Sequence, residues 1–200
     1  MSREEKKTRI EKLRSEIASC KRCSLHKTRT HTVPGEGDLN AKIMFIGEAP
    51  GKNEDLQGKP FIGRSGKVFD KLLESVGLTH NQIFLCNILK CRPPDNRNPL
   101  ATEIHACTRN LDIQIKVIDP QVIATLGNFS TTYIFQKFNL ALEKISAVHG
   151  QVIGVDTAFG HKKIVPLFHP AVATYNNSKL NVLLNDFCVF KQFLEKNKSF

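Results

Sequence analysis

Apolar positions along the chain follow two periods. In the highly charged stretch 3–19, Ile10, Leu13 and Ile17 recur at helical spacing, which predicts an amphipathic helix leading into Cys20. Residues 42–47, Lys-Ile-Met-Phe-Ile-Gly, are a short apolar run rich in β-formers, the mark of a strand buried on both faces. The run stops at Gly47, and a polar loop, 48–61, follows with Pro50, Gly51, Gly58 and Pro60. The helical period returns from about Ser65 to Val76, where Val68, Phe69, Leu72, Leu73 and Val76 make one stripe. Residues 82–86 predict a second strand and 87–99 a loop rich in Pro and Asn. A helix over 101–118, a strand over 121–126 and a helix over 127–137 come next. Further strands are expected at 150–155 and 162–167, the first at an edge or in a hairpin. The chain closes on an amphipathic helix over 178–196, through Leu180, Leu183, Leu184, Phe187 and Phe190.

Strands alternating with helices predict an α/β fold: a three-layer sandwich with a mostly parallel central sheet covered by helices on both faces. A single domain over 1–200 accommodates these elements, with the N-terminal helix of residues 1–19 leading into the first cysteines. In such sheets ligands bind beyond the carboxyl ends of the strands. The loops that leave strands in that sense are 48–61, 87–99 and 168–177.

The formal net charge of +10 favours a polyanionic partner such as nucleic acid, against the plainer reading of a soluble basic surface. No run approaches the ~20 apolar residues that span a bilayer. The charged first residues, 1–14, carry no apolar signal-peptide run, so the expected location is intracellular and cytoplasmic. In that reducing setting six cysteines point to metal or cluster chemistry, or to buried thiols, rather than disulfides. Cys20 and Cys23 have metal-ligand spacing. Cys91 and Cys107 form a second, wider pair, one after a strand and one on the next helix. Four thiolates hold either tetrahedral zinc or an iron–sulfur cluster, and residue type alone does not separate these. Cys86, within an apolar strand, and Cys188, on the apolar side of the last helix, read as buried inert thiols.

Three segments carry a family resemblance. The run Gly47-Glu48-Ala49-Pro50-Gly51, continuing through Glu54-Asp55 to Gly58-Lys59-Pro60-Phe61-Ile62-Gly63-Arg64-Ser65-Gly66, resembles the first motif of family 4 uracil-DNA glycosylases, the iron–sulfur class. Asn87-Ile88-Leu89-Lys90-Cys91-Arg92-Pro93-Pro94 resembles the second, and His169-Pro170-Ala171 the last. The order of motifs and cysteines matches as well, over about residues 15 to 196.

The resemblance implies a base-excision repair enzyme that flips uracil out of DNA and hydrolyses its glycosidic bond. It implies a 4Fe–4S cluster on Cys20, Cys23, Cys91 and Cys107, structural and away from the chemistry. It places Phe61 in stacking contact with the uracil ring; a Phe in a polar loop is otherwise a poor core position. Asn87 is expected to pair with uracil O4 and N3–H, and His169 to donate to O2 as negative charge develops there. Glu48 is expected beside the pocket as the catalytic carboxylate, positioning water or opposing the sugar's positive charge. Ala49 stands where other uracil-DNA glycosylase families place an Asp to orient water, and is expected as part of the base pocket. Arg64 is a candidate phosphate contact, along with Lys59, Lys67, Arg92 and Arg97. Val172 and Tyr175, where many relatives carry bulkier aliphatic residues and an Arg, are candidate wedges for the gap left by the flipped base.

The expected partner is uracil-containing DNA, single- or double-stranded, met by a monomer; contact with a replication clamp is not readable from the residues. Two alternatives stand beside this reading: a same-fold glycosylase with shifted base specificity, and a cluster- or zinc-stabilised nucleic-acid-binding module. The trio Phe61, Asn87 and His169 argues against the second.

Overall fold

The computed structural model describes residues 1–157, 160–174 and 176–195. Six strands form one sheet: β1 (Glu36–Gly37), β2 (Ile43–Gly47), β3 (Ile83–Asn87), β4 (Val122–Leu126), β5 (Ile153–Thr157) and β6 (Gly160–Leu167), in the order β1-β3-β2-β4-β6-β5. The four inner strands are parallel, while β1 and β5 pair antiparallel at the two edges. β5 and β6 are the expected hairpin. The sheet is thus mostly parallel, as the alternation of strands and helices predicts.

Strand alternation builds two cores, because successive side chains point to opposite faces. Met44, Ile46, Phe84, Ile123 and Ile164 face one layer of helices: α1 (Arg3–Ala18), α4 (Ala101–Ile118), α5 (Asn128–Lys137) and the short α6 (Ile145–Val148). Phe45, Ile83, Leu85, Ala124 and Val165 face the other: α3 (Arg64–Ser75), α7 (Asn177–Phe187) and α8 (Lys191–Glu195). On the first face α1 buries Ile10, Leu13 and Ile17, the residues picked out by their spacing, and a capping box between Ser2 and Glu5 starts it. On the second, Phe45 sits fully buried among Phe69, Phe187 and Phe190, with ring centroids 5.0–5.8 Å away.

The pattern reading contains neither β1 nor α6, and two further elements depart from it. The loop 48–61 contains a short helix, α2 (Lys52–Gln57), begun at Gly51 and ended by Gly58 at φ 69°. It has no apolar stripe because its buried residues are carboxylates, Glu54 and Asp55. The final helix is broken: a 3₁₀ turn, Cys188–Phe190, separates α7 from α8. Its three-residue period keeps Phe187 and Phe190 on the buried side. Cys188, expected to be buried, is turned outward and is exposed, with its thiol donating to the Leu184 carbonyl at 3.4 Å. Cys86 is fully buried, as expected.

The parallel core sends the carboxyl ends of β2, β3 and β6 to one edge, so Gly47, Asn87 and the loop bearing His169 leave the sheet side by side. The segment that leads from α2 into α3 is held there by a close approach. A Cβ on Gly66 would overlap the carbonyl oxygen of Phe61. Gly66→Ala is therefore expected to cost about 1–3 kcal/mol of stability, measured as a lower midpoint of denaturant unfolding. An unchanged midpoint would show that the turn can shift freely.

Candidate active site and thiol cavity

A pocket of about 430 Å³ opens at the carboxyl edge of the sheet, lined among others by Glu48, Ala49, Phe61, Asn87, Arg97 and His169. The residues expected at the base pocket and its chemistry thus meet in one place. A larger groove, about 660 Å³, lies near the opposite ends of β2 and β4, beside Ile43 and Val122. One atom decides between the two. Among the described residues, the side-chain atom that is buried without a hydrogen-bond partner is Asn87 Oδ1, and Asn87 lines the smaller pocket. Asn87 is 2 % exposed, and a buried acceptor left empty costs about 1–3 kcal/mol. Such an atom calls for a donor from a ligand.

Backbone chemistry brings the amide and the aromatic ring together. Gly47 pairs with Asn87 across the parallel ladder. A Cβ at Gly47 would collide with Asn87 Oδ1 and stand 2.8 Å from Phe61 Cζ, so only glycine lets both side chains reach this wall. Phe61 has φ 53°, a left-handed conformation unusual for an aromatic residue. It is not the poor core position that its polar loop implied. It is 7 % exposed and packs on Phe69 at 5.2 Å, while its ring lies 5.9 Å from that of His169 at 27°. The ring is at once the end of a core and the floor of a pocket.

What holds that strained loop is a pair of carboxylates that pattern reading did not single out. Glu54 Oε1 accepts the backbone N–H groups of Ile62 at 3.0 Å and Gly63 at 2.7 Å. Asp55 accepts the N–H of Thr30 through both oxygens, at 3.0 and 3.1 Å. The available signal was two adjacent acids amid Gly and Pro, where orphan backbone donors concentrate.

His169 Nδ1 accepts the Ala171 N–H at 3.1 Å, so the neutral ring carries its proton on Nε2. Burial pushes its pKa down to about 4. The ring is therefore a neutral donor at physiological pH, a point that residue type left open. Burial pushes the Glu48 carboxyl above its usual range.

Of the candidate DNA contacts, Arg64 is exposed on the first turn of α3, and Lys59 and Lys67 are exposed beside it. Val172 is 40 % exposed on the 3₁₀ turn Pro170–Ala173. Tyr175 lies outside the described residues. Arg97 differs from the expectation: its guanidinium forks onto the buried Glu103 carboxylate at 2.7 and 2.9 Å, and lowers the pKa of that carboxyl. Its charge is spent on the protein. Arg92 donates to Asn96 Oδ1 at 2.8 Å.

The four cysteines converge on a second cavity. Cys20, Cys23, Cys91 and Cys107 line it together, with Arg22, Arg29 and Asn110 at its wall. Donors already face the sulfurs: Arg29 Nη1 reaches Cys91 Sγ at 3.1 Å, the Lys90 N–H reaches Cys107 Sγ at 3.3 Å, and Asn110 Nδ2 lies 3.8 Å from the same sulfur. Burial pushes the Cys91 thiol up to about 11, with Arg29 opposing the shift. Burial also raises Cys23. At Cys20 burial pulls upward as well, but the N–H and guanidinium of Arg22 outweigh it and the pKa is lowered. Among the described residues no three His, Cys, Asp or Glu side chains converge tightly enough for a single metal ion. Ala49, which lines the pocket, packs against the cluster of Leu25, Leu89 and Cys91.

Among the described residues no helix is long and apolar enough to cross a membrane. Residues 34–196 match the model of the Uracil DNA glycosylase superfamily. The chain is 45 % identical over 187 residues to a type-4 uracil-DNA glycosylase of Saccharolobus solfataricus, covering 92 % of this chain and 86 % of that one. It is 44 % identical to one from Archaeoglobus fulgidus, covering 80 % of each. It is 37 % identical to one from Thermotoga maritima, covering 90 % of this chain and 92 % of the relative.

The depressed pKa of His169 has a consequence for stability. Between its ordinary value of 6.5 and about 4, the unfolded chain takes up a proton that the native ring refuses. Acid therefore favours unfolding across that window, and the contribution is whole above it. The parent is expected to lose stability more steeply from pH 7 to 4.5 than a His169→Gln variant, followed by urea unfolding at each pH. Parallel pH profiles would contradict the neutral ring.

Proposed function

The chain belongs to the uracil-DNA glycosylase superfamily and to its type-4 class, and we propose that the pocket of Glu48, Phe61, Asn87 and His169 is where it excises uracil from DNA. The observation that carries this reading is the empty, buried Oδ1 of Asn87 on the same wall as an aromatic ring and a neutral imidazole. A uracil ring lying on Phe61 offers N3–H to that oxygen and O4 to the amide nitrogen. Cytosine presents an acceptor at N3 and a donor at the exocyclic nitrogen, which the same amide cannot satisfy without turning over.

The glycosidic bond lies inside the duplex stack, so the nucleotide must leave it before the chemistry. When the bond breaks, its electron pair goes to uracil and negative charge gathers on O2. His169 donates from Nε2, and a neutral ring gives that hydrogen bond without first losing a proton. The sugar becomes oxocarbenium-like, and the Glu48 carboxylate opposes that charge or orients water. Water adds its oxygen to C1′ and releases a proton, uracil takes one up, and an abasic site remains. Ala49 supplies no water ligand, which leaves electrostatics from Glu48 and His169 as the main contribution. Val172 or Tyr175 fills the vacated stack, and Arg64 meets a phosphate. The protein acts as a monomer.

Cys20, Cys23, Cys91 and Cys107 hold a 4Fe–4S cluster. Four thiols line one cavity, no three of the described His, Cys, Asp or Glu side chains close on a single ion, and a cationic group larger than one ion would hold them as thiolates. When bound, the cluster supplies iron–thiolate bonds that tie the end of α1, the loop after β3 and α4 together, a folding role. Anaerobically purified protein is expected to be brown, with iron and sulfide; a colourless protein with stoichiometric zinc and no iron would refute the assignment.

Charge on O2 develops only in the transition state, so His169 should act on the chemical step more than on binding. His169→Ala is expected to lose about 100- to 1000-fold in single-turnover cleavage while still binding uracil-containing DNA. His161, exposed and paired with exposed Asp156, is the control and should be nearly silent as Ala. His149, outside the motifs, is not a neutral control: its Nδ1 meets the buried Asp186 at 2.8 Å and its ring packs 4.4 Å from Phe168. Cleavage by His169→Ala at the parental rate, or failure through lost binding alone, would reject the mechanism.

A further inference from the structure

Lys90 stands between the pocket and the thiol cavity, and nothing so far explains it. It is 1 % exposed. Lys162, the other buried lysine among the described residues, meets Asp119 at 2.7 Å. Lys90 makes no such ion pair there. Its ammonium instead donates to the backbone carbonyl of Asn87 at 2.6 Å and to Gln114 Oε1 at 2.6 Å, and it faces the buried Cys86 thiol. Gln114 is itself anchored, its Nε2 donating to the Pro34 carbonyl at 2.6 Å. The Lys90 backbone is held at both ends as well: its carbonyl takes the Val33 N–H at 2.8 Å, and its N–H meets Cys107 Sγ at 3.3 Å.

A buried cation without a carboxylate is costly, and an apolar side chain of similar length is often as good for stability alone. A device of this kind therefore needs another reason. The group it grips is the main chain of the residue that carries the empty acceptor. We propose that Lys90 is a positioning residue for base recognition: its ammonium locks the Asn87 backbone against Gln114, and its N–H registers that lock on the cysteine cavity. The amide is then aimed before a base arrives, and the loss of freedom that aiming costs is met during folding rather than in the transition state. The inference rests on the reading of Asn87 as the uracil-recognising residue.

The test uses cluster-loaded protein with iron content measured for every variant. Lys90→Met is expected to lower kcat on uracil-containing DNA by about 10- to 100-fold with KM within about threefold. In a His169→Ala background it should also weaken the preference for uracil over cytosine in competition binding. A merely structural role would move iron content and the unfolding midpoint and leave that preference alone. Fully loaded Lys90→Met with parental kcat and preference overturns the proposal. If Lys90→Met does not load iron, Gln114→Leu decides, because it loosens the same ammonium without adjoining a cysteine. A slowed, loaded Gln114→Leu upholds the proposal and a parental one overturns it. Asn87→Ala is assayed in parallel: its retention of full activity would sink the underlying pocket reading, whereas an inactive Asn87→Ala beside a parental Lys90→Met sinks only the role of Lys90.

Discussion

The pairing of Gly47 with Asn87 at the ends of two parallel strands is the constraint on which the pocket depends. Parallel strands end on the same edge, so their last residues are neighbours in space although forty positions apart in sequence. With no Cβ on one of them, the other's amide lies against the sheet edge and Phe61 closes over it. A side chain at Gly47 would push both away, and a shift of one residue in register would turn Asn87 to the other face.

From that contact outward, the loops are held by hydrogen bonds rather than by apolar packing. Glu54 binds the backbone on the far side of Phe61, and Asp55 ties the same helix to the segment that follows the first cysteine pair. Arg29, one residue before that tie, reaches Cys91 Sγ. The pocket and the thiol cavity are therefore joined through short polar links and through Ala49, which lines the pocket and packs on the cluster that contains Cys91. A site made of loops gains rigidity this way, since the backbone donors of Thr30, Ile62 and Gly63 each find a carboxylate. Asn87 Oδ1 is left without such a partner, and that is the feature a ligand would answer.

The electrostatics of the site follow from the partial burial of its titratable groups. Burial keeps the His169 imidazole neutral and raises the Glu48 carboxyl, and a less polar surrounding than bulk water strengthens a hydrogen bond to a charge that appears during reaction. Arg97 shows the opposite use of a charge: paired with Glu103 it braces the loop after β3.

The layered α/β architecture is legible in the residue pattern alone, since the strand and helix periods are local and are enforced by burial on two faces of one sheet. The sequence also determined the chemical types at the site, because the three motifs and the paired cysteines stand in its loops in recognisable order. What it did not contain is where partners from distant segments meet. Helix α2 was invisible because its buried residues are acids whose donors come from elsewhere in the chain. The outward turn of Cys188 follows from a change of helical pitch that the apolar stripe does not reveal. Phe61 reads as a loop residue in the sequence because its core neighbour, Phe69, comes close only once Gly66 lets the turn fold back. The tautomer of His169, the pairing of Arg97, and the grip of Lys90 on Asn87 belong wholly to the tertiary structure. Each depends on a hydrogen bond whose geometry is set by the packed chain rather than by the residue type.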